Sequence, residues 1–207
     1  MVKNKRSRNA KHIRTQSERS EATTRALITA ATSLFATNGF AGTSLDDILG
    51  IAMVTRGALY HHFESKTDLF RAVFEEQEQA LSAVIVAAAS GARDAWTAFR
   101  RGCEAFLTAC LDPVVQRIIL IDAPAVLGWE VMREIESRYA LAMLRSGLER
   151  AIAEGKISRR PVEPLAHLLL GALSECAMAI ARAPDAKATM QEARRELDRL
   201  LTALAKS

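Results

Sequence analysis

The side chains best suited to chemistry lie within residues 43–70, which read TSLDDILGIAMVTRGALYHHFESKTDLF. One face of a predicted helix in this stretch combines small, cationic and hydrogen-bonding groups: Thr55, Arg56, Gly57, Tyr60 and His61. Small residues let a backbone approach the base edges in the major groove of DNA, and an arginine there can donate two hydrogen bonds to a guanine. This face therefore predicts a surface that reads DNA.

Two short amphipathic helices, separated by a tight break that holds Val54, must position this face. Apolar residues recur at helical spacing along both of them: Leu45, Ile48, Leu49, Ala52, Leu59 and Phe63. One side of each helix is therefore expected to pack inward. A helix-turn-helix of this kind lays its second helix in the major groove, which is about 12 Å wide and admits one α-helix.

Hydroxyl residues indicate where the helices begin, because such side chains satisfy free backbone N–H groups. We expect Thr43, with Asp46 three residues later, to cap the first helix of the pair, and Thr55 to cap the second. Ser65, with Asp68, is expected to cap the helix that follows.

The predicted DNA-binding residues are Thr43, Thr55, Arg56, Gly57, Ala58, Tyr60, His61 and Lys66. Arg56 is assigned to a guanine, and Tyr60 and His61 to phosphates. Lys66 is assigned to a phosphate held both by its charge and by the N–H groups at its helix N-terminus. The alternatives are that Tyr60 and His61 are ordinary half-exposed residues and that Lys66 is a solvated surface lysine.

The stretch resembles the DNA-binding domain of the TetR family of bacterial regulators. The residues that carry the resemblance include the run GALYHHFESK together with Thr43, Ser44, Leu45, Ile48, Ala52, Val54, Thr55 and Leu69. The similarity covers residues 24–75, which is about a quarter of the chain. The chain departs from the family at Met53, where the turn usually holds a glycine. A non-glycine residue with a positive φ there costs roughly 1–2 kcal/mol.

Charge is concentrated at the N-terminus. Residues 1–19 hold seven basic side chains and one acidic one, a net charge of +6, whereas the remainder holds 21 basic and 23 acidic residues, a net charge of −2. A basic arm on a mildly acidic body points to a localised polyanion such as DNA. We expect residues 1–20 to be disordered in the free protein.

Composition predicts a soluble globular protein, and the cysteines favour a reducing cytoplasm. The chain is 49% hydrophobic and 25% charged. Its three cysteines, Cys103, Cys110 and Cys176, fit no disulfide or zinc pattern, and no hydrophobic signal region follows the basic N-terminus. The apolar run 165–183 contains polar and charged residues, so a buried helix is expected there and no membrane span.

Helical periodicity continues to the C-terminus and predicts an all-α protein. We divide the chain into the arm at 1–20, a three-helix DNA-binding domain with a helix-turn-helix at 21–70, and a helical-bundle domain at 71–207. Long helices are expected to end before Gly91, to run from Trp129 to Glu154, and to occupy residues 164–183 and 185–206. The last helix is expected to pair Arg194 with Asp198 on one face.

The resemblance implies a ligand-responsive regulator, most often a repressor acting at a near-palindromic double-stranded DNA operator. It further implies a homodimer joined through the last two helices in a four-helix bundle. The predicted dimer interface comprises Leu168, Gly171, Ala172, Glu175, Leu197, Leu200, Leu201 and Leu204. The predicted effector-binding residues are Phe99, Cys103, Phe106, Met132, Tyr139 and Met143, which suit a small hydrophobic ligand with the Tyr139 hydroxyl as a polar contact.

Enzymatic and metal-dependent functions find little support in the sequence. The sequence offers no phosphate-binding glycine loop, paired catalytic carboxylates or nucleophile with a placed base, so neither catalysis nor a cofactor is predicted. His61, His62 and Glu64 are not expected to bind a metal, because neighbours on a helix point about 100° apart. Two rival functions remain open. One is a DNA-binding architectural or protein-switched regulator without a small ligand, and the other is an all-α enzyme with a vestigial helix-turn-helix.

Overall fold

The computed structural model of the protein describes residues 16–205. Within that range the chain forms helices joined by short connections and contains no β-strand, which confirms the predicted all-α fold class. The predicted disordered arm, residues 1–20, lies outside the described residues as far as residue 15, and its last five residues are helical because α1 begins at Gln16. The elements are α1 (Gln16–Gly42), α2 (Leu45–Ala52), α3 (Arg56–His62), α4 (Lys66–Ala89), α5 (Ala95–Ala109), a π-helix (Val115–Asp122), α6 (Ala123–Arg138), α7 (Ala140–Ala153), α8 (Val162–Arg182) and α9 (Ala186–Ala205).

Helices α1, α2 and α3 form an N-terminal head around a shared apolar centre. Leu27 and Phe35 of α1, Ile48 of α2 and Leu59 of α3 are fully buried. Burial of each side chain favours the folded head by about 1.5–3 kcal/mol relative to leaving it exposed. The inward faces predicted for α2 and α3 are confirmed.

The first of the predicted caps is wrong by one residue. Ser44, not Thr43, caps α2: its hydroxyl accepts the Asp47 N–H at 3.1 Å, and the Asp47 carboxylate accepts the Ser44 N–H at 3.2 Å. The Ser44 hydroxyl also donates to the Asp47 carboxylate at 2.5 Å, and this bond, followed by the one from the Ser44 N–H, holds the pKa of Asp47 below its usual value. The caps predicted at Thr55 and Ser65 are confirmed.

A sharp bend in α1 joins the head to the body. Gly39 adopts a positive φ of 73°, and the helix resumes after it and ends at Gly42. A Cβ atom at Gly39 would lie 1.7 Å from Arg117 Nη2 of the π-helix. Next to it, the buried Asp122 carboxylate accepts the Phe40 N–H at 2.7 Å and the Arg117 Nε–H at 3.2 Å. The π-helix is therefore tied to the end of α1.

Helix α4 runs from the head into the body. Its 24 residues span about 36 Å, and it ends before Gly91 as the sequence predicts. Glu78 lies on its buried side, only 4% exposed, and burial followed by the charge of Glu136 raises its pKa to about 7.

Helices α6 and α7 depart from the prediction. The single helix predicted from Trp129 to Glu154 is interrupted at Tyr139, whose φ of −112° and ψ of −86° separate α6 from α7. A kink inside α6 lies at Gly128, where φ is 74° and ψ is 166°.

Helices α8 and α9 pack on the body but leave an apolar stripe uncovered. On α8, Leu168 is 71% exposed, and Gly171, Ala172 and Glu175 are exposed as well; Leu200 of α9 is 48% exposed. Helix α8 is the one helix among residues 16–205 long and apolar enough to span a membrane by length and composition, with 33% of its most apolar window buried.

Two of the predicted interface residues face the protomer's own core. Leu197 and Leu201 of α9 are 8% and 2% exposed, so the assignment of these two side chains to a dimer surface is wrong. Leu204 is half-buried against the same core. The stripe predicted on α9 turns towards α5 and α8, because those helices already cover it.

The predicted pairing of Arg194 with Asp198 on the polar face of α9 is wrong. Arg194 donates to the Glu104 carboxylate at 2.7 Å, and Asp198 accepts from Arg100, so both predicted partners bind α5 instead. These cross-helix pairs fix α9 against α5. On α8, His167 lies 3.3 Å from Glu163, while Glu175 stays exposed.

Candidate DNA-binding face and ligand cavity

The exposed face of α3 carries most of the residues predicted to bind DNA. Thr55, Arg56, Gly57 and His61 are exposed, Tyr60 is 48% exposed, and Ala58 is half-buried. A Cβ atom built at Gly57 meets nothing within 4 Å, so the backbone is open to approach there. The structure therefore brings these side chains together on one accessible surface, as the sequence predicts.

Arg56 is held by a carboxylate of the preceding helix. Its guanidinium donates to Asp46 of α2, and both side chains remain largely exposed, at 57% and 72%. The ion pair connects α2 to the first turn of α3 and fixes the direction of Arg56. Because both partners are solvated, the pair can open at little cost when a base edge replaces Asp46.

Thr43 and Lys66 have structural roles that the sequence analysis did not predict. Thr43 is 2% exposed, and its hydroxyl donates to the Gly39 carbonyl at 2.8 Å, so the prediction that this side chain contacts DNA is wrong. The Lys66 ammonium donates to the carbonyls of Phe40 and Thr43, each at 2.8 Å, and lies 4.1 Å from the centre of the Phe40 ring. The assignment of Lys66 to a phosphate is corrected: its charge holds the end of α1 against α4.

Met53 occupies the turn between the two helices in the left-handed conformation. Its φ of 52° and ψ of 43° are those of the glycine that this turn usually contains, and its side chain is 92% exposed. The turn thus keeps the geometry of the motif and bears the strain of a non-glycine residue.

His62, by contrast, faces α1. Its Nδ1 lies 3.3 Å from the Thr24 hydroxyl, which braces α3 against the first helix. Within residues 16–205 no group of His, Cys, Asp or Glu side chains is arranged to hold a metal ion.

A cavity of about 380 Å³ lies in the body between α4, α5, α7 and α8. Four of the six predicted effector residues line it: Phe99, Cys103, Phe106 and Met143. The remaining lining is mainly aliphatic, including Ile85 and Val86 of α4 and Leu170 and Leu173 of α8. The volume lies at the lower end of the range for small-molecule sites, about 300–1,000 Å³.

Met132 and Tyr139, the other two predicted effector residues, lie outside the lining of this cavity. Met132 is 8% exposed and belongs to the core. The Tyr139 hydroxyl donates to the Glu75 carboxylate at 3.3 Å, so it is not among the polar groups of this cavity. The polar groups that do line the cavity are Ser146 and Arg150, both of which the sequence analysis missed because they stand among the solvent-facing positions of α7.

Two buried features of α5 lie next to this cavity. Burial raises the pKa of the Cys103 thiol to about 12, so it is an inert part of the wall and not a nucleophile. Trp96 stacks on Phe99 with 5.3 Å between ring centroids, and its Nε1–H is buried without a hydrogen-bond partner among the described residues.

A second cavity, of about 660 Å³, lies between α4 and α5 on another side of the body. It is lined by small residues such as Ala80 and Ala105 and by the charged side chains of Arg101, Glu104 and Asp112. None of the predicted effector residues lines it.

An exposed recognition helix on a helix-turn-helix head, joined by one rigid helix to a body that holds an apolar cavity, defines a DNA-binding transcriptional regulator. The profile described as "Bacterial regulatory proteins, tetR family" matches residues 27–73, and the "Tetracyclin repressor-like, C-terminal domain" profile matches residues 96–204, just over half of the chain. The chain belongs to the TetR family of transcriptional regulators.

Individual relatives agree with this assignment. The solved structure of a TetR-family regulator from Pectobacterium atrosepticum is 34% identical, with a TM-score of 0.83 over 94% of this chain and 99% of that one. The Tn10 TetC protein of Escherichia coli is 28% identical over 75% of this chain and 79% of its own length. A probable acrEF/envCD operon repressor of Escherichia coli is 49% identical over a shorter match, 25% of this chain and 23% of that protein.

Proposed function

We propose that the protein is a cytoplasmic, homodimeric repressor that binds a near-palindromic operator through α3 and is released by a small hydrophobic effector. The observation that carries the proposal is the course of α4. This helix begins at Lys66, which holds the end of α1, and ends with Ile85, Val86 and Ala89 in the wall of the apolar cavity. A ligand in that cavity would therefore touch the same helix that supports the head.

The proposed mechanism is a change in the separation of two heads. The two recognition helices of a dimer must lie about 34–36 Å apart to enter successive major grooves. A ligand that fits the cavity better in another arrangement of α4 shifts the population away from the DNA-binding form by its difference in affinity. The tie between Phe40 and Asp122 gives the body a second attachment to the head.

The uncovered stripe on α8 and α9 supports the dimer. Leu168, Gly171, Ala172 and Glu175 of α8 and Leu200 of α9 expose an apolar strip with a single charge. A Cβ at Gly171 meets nothing within 4 Å in the protomer, so a partner helix can approach its backbone closely. Such strips on long helices favour a helix-to-helix interface.

The proposed dimer interface is tested by sedimentation, together with measurements of binding to a DNA duplex that the full chain selects from a random pool. Gly171→Arg should yield monomers that fail on the complete duplex, because it places a charge at the centre of the strip. Ala83→Arg adds the same charge at an exposed position of α4 and should remain dimeric. A Gly171→Arg protein that stays dimeric and keeps its affinity for the duplex would place the interface elsewhere.

The hydrophobic effector is tested with decanol as a probe. Ala98→Trp fills part of the cavity and should abolish decanol binding in isothermal titration calorimetry. Ala105→Trp makes the same substitution two turns further along α5, at a residue that lines the second cavity and not the first, and should leave decanol binding intact. Equal binding by the two variants would show that decanol does not occupy the proposed site.

A further inference from the structure

We infer that the effector is an anionic amphiphile, whose apolar part fills the 380 Å³ cavity and whose negatively charged head group binds Arg150. The inference rests on the proposed function and specifies the chemistry of its ligand. Arg150 is the one charged residue among the described residues that line the cavity. A charged group at the edge of an apolar cavity orients a ligand, because it binds only the polar end of the molecule.

The side chain of Arg150 is available for such a ligand. Among residues 16–205 it makes no ion pair and no hydrogen bond, whereas Arg145 on the same helix pairs with Glu163 at 3.3 Å and Arg138 pairs with Glu75 at 2.7 Å. Arg150 is also exposed, so its guanidinium is reachable from solvent at the mouth of the cavity.

One carboxylate that helical spacing would allow to pair with Arg150 already accepts another hydrogen bond. Glu154 stands four residues after Arg150, at the end of α7, but its carboxylate accepts the Ala95 N–H at 2.8 Å at the start of α5. No carboxylate belongs to the described lining of the cavity. Arg150 is thus the one charge in the described lining of the cavity, which disfavours a cationic ligand and favours an anionic one.

A second polar group stands beside Arg150. Ser146 lies one turn earlier on α7, four residues away and therefore on the same face, and it also lines the cavity. A hydroxyl and a guanidinium at that spacing can both donate hydrogen bonds to the oxygens of one carboxylate or phosphate. Hydrogen bonds to a charged acceptor are the stronger kind, so this pair adds affinity as well as direction.

The test compares ligands of one chain length that differ in their head group. Decanoate, decyl phosphate, decanol and decylamine are titrated calorimetrically into the full chain without DNA, into Arg150→Gln, and into Arg145→Gln as the matched control on α7. Wild type should bind decanoate or decyl phosphate about tenfold more tightly than decanol, and decylamine most weakly. The tighter of the two anions identifies the head group as a carboxylate or a phosphate.

Arg150→Gln should remove the tenfold preference and leave decanol binding unchanged, which also shows that the variant keeps its cavity. Arg145→Gln should keep the preference. Three outcomes would each overturn the inference while leaving the hydrophobic effector in place. The wild type could bind decanol as tightly as the anions or more tightly, the preference for anions could survive in Arg150→Gln, or that variant could lose decanol binding. Binding of none of the four probes would overturn the cavity proposal as well.

Discussion

Replacing Met53 with glycine changes the turn between α2 and α3 while removing almost no packing, because the side chain is 92% exposed. With φ at 52° and ψ at 43°, a residue that carries a Cβ atom costs about 1–2 kcal/mol. Glycine removes that cost but adds about 0.4–1 kcal/mol of conformational entropy to the unfolded chain. We therefore expect Met53→Gly to raise the free energy of unfolding by about 0.5–1 kcal/mol.

The assay is urea unfolding of the full chain, followed by circular dichroism at a fixed protein concentration. Met53→Ala is the control, because alanine keeps the Cβ atom and the positive φ and should therefore give no comparable gain. The reasoning about strain is refuted if Met53→Gly is destabilised, or if the alanine variant gains as much as the glycine variant.

Three further predictions concern the head, its junction with the body, and α4. Arg56→Ala removes a base contact, so it should weaken binding to the selected duplex by about tenfold to a hundredfold and leave binding to a random duplex nearly unchanged. An equal loss of affinity for the two duplexes would exclude base readout by Arg56. Gly39→Ala should destabilise the protein by at least about 1 kcal/mol in urea unfolding, since φ is 73° and the new Cβ atom meets Arg117. Gly42 is the control, because it is helical and its replacement by alanine should be neutral or stabilising. Similar effects of the two substitutions would contradict this account of the bend. Glu78, with a pKa raised to about 7, binds a proton more tightly in the folded state than in the unfolded state. The free energy of unfolding should therefore fall by on the order of 3 kcal/mol as the pH rises from about 4.5 through 7. Glu78→Gln should flatten this dependence, and an unchanged pH profile in that variant would show that the carboxyl is not desolvated as described.

Local signals in the sequence were sufficient for most of the head. The capping hydroxyls at Thr55 and Ser65 and the apolar spacing that buries Ile48 and Leu59 are short-range features, and each is present as predicted. Thr43 with Asp46 and Ser44 with Asp47 offer the same capping chemistry one residue apart. Burial of Thr43 decides between them, and burial depends on how α1 packs.

Features set by distant contacts could not be predicted in this way. The leucine stripe of α9 is visible in the sequence, but periodicity does not say whether its own protomer or a partner covers Leu197 and Leu201. Lys66 looks like a phosphate contact until Phe40 and Thr43 direct their carbonyls at it. The break between α6 and α7 at Tyr139 could not be predicted, because no glycine or proline stands there in the sequence.

The cavity shows the same limit. Aromatic and sulfur-containing residues on α5 and α7 indicated an apolar site, and Phe99, Cys103, Phe106 and Met143 do line one. Arg150 was overlooked because a cation on the outer face of a helix is usually solvated. Only the packing of α4 and α8 shows that this position lies at the edge of a cavity.

The most direct test of the central claim is the affinity of the full chain for its selected duplex, measured by fluorescence anisotropy with and without saturating decanoate. If the cavity and the head are coupled through α4, decanoate should weaken duplex binding by about fivefold or more in wild type and in Ala105→Trp, and have no effect in Ala98→Trp. An unchanged affinity for the duplex, in a wild-type protein shown calorimetrically to have decanoate in the cavity, would contradict the account.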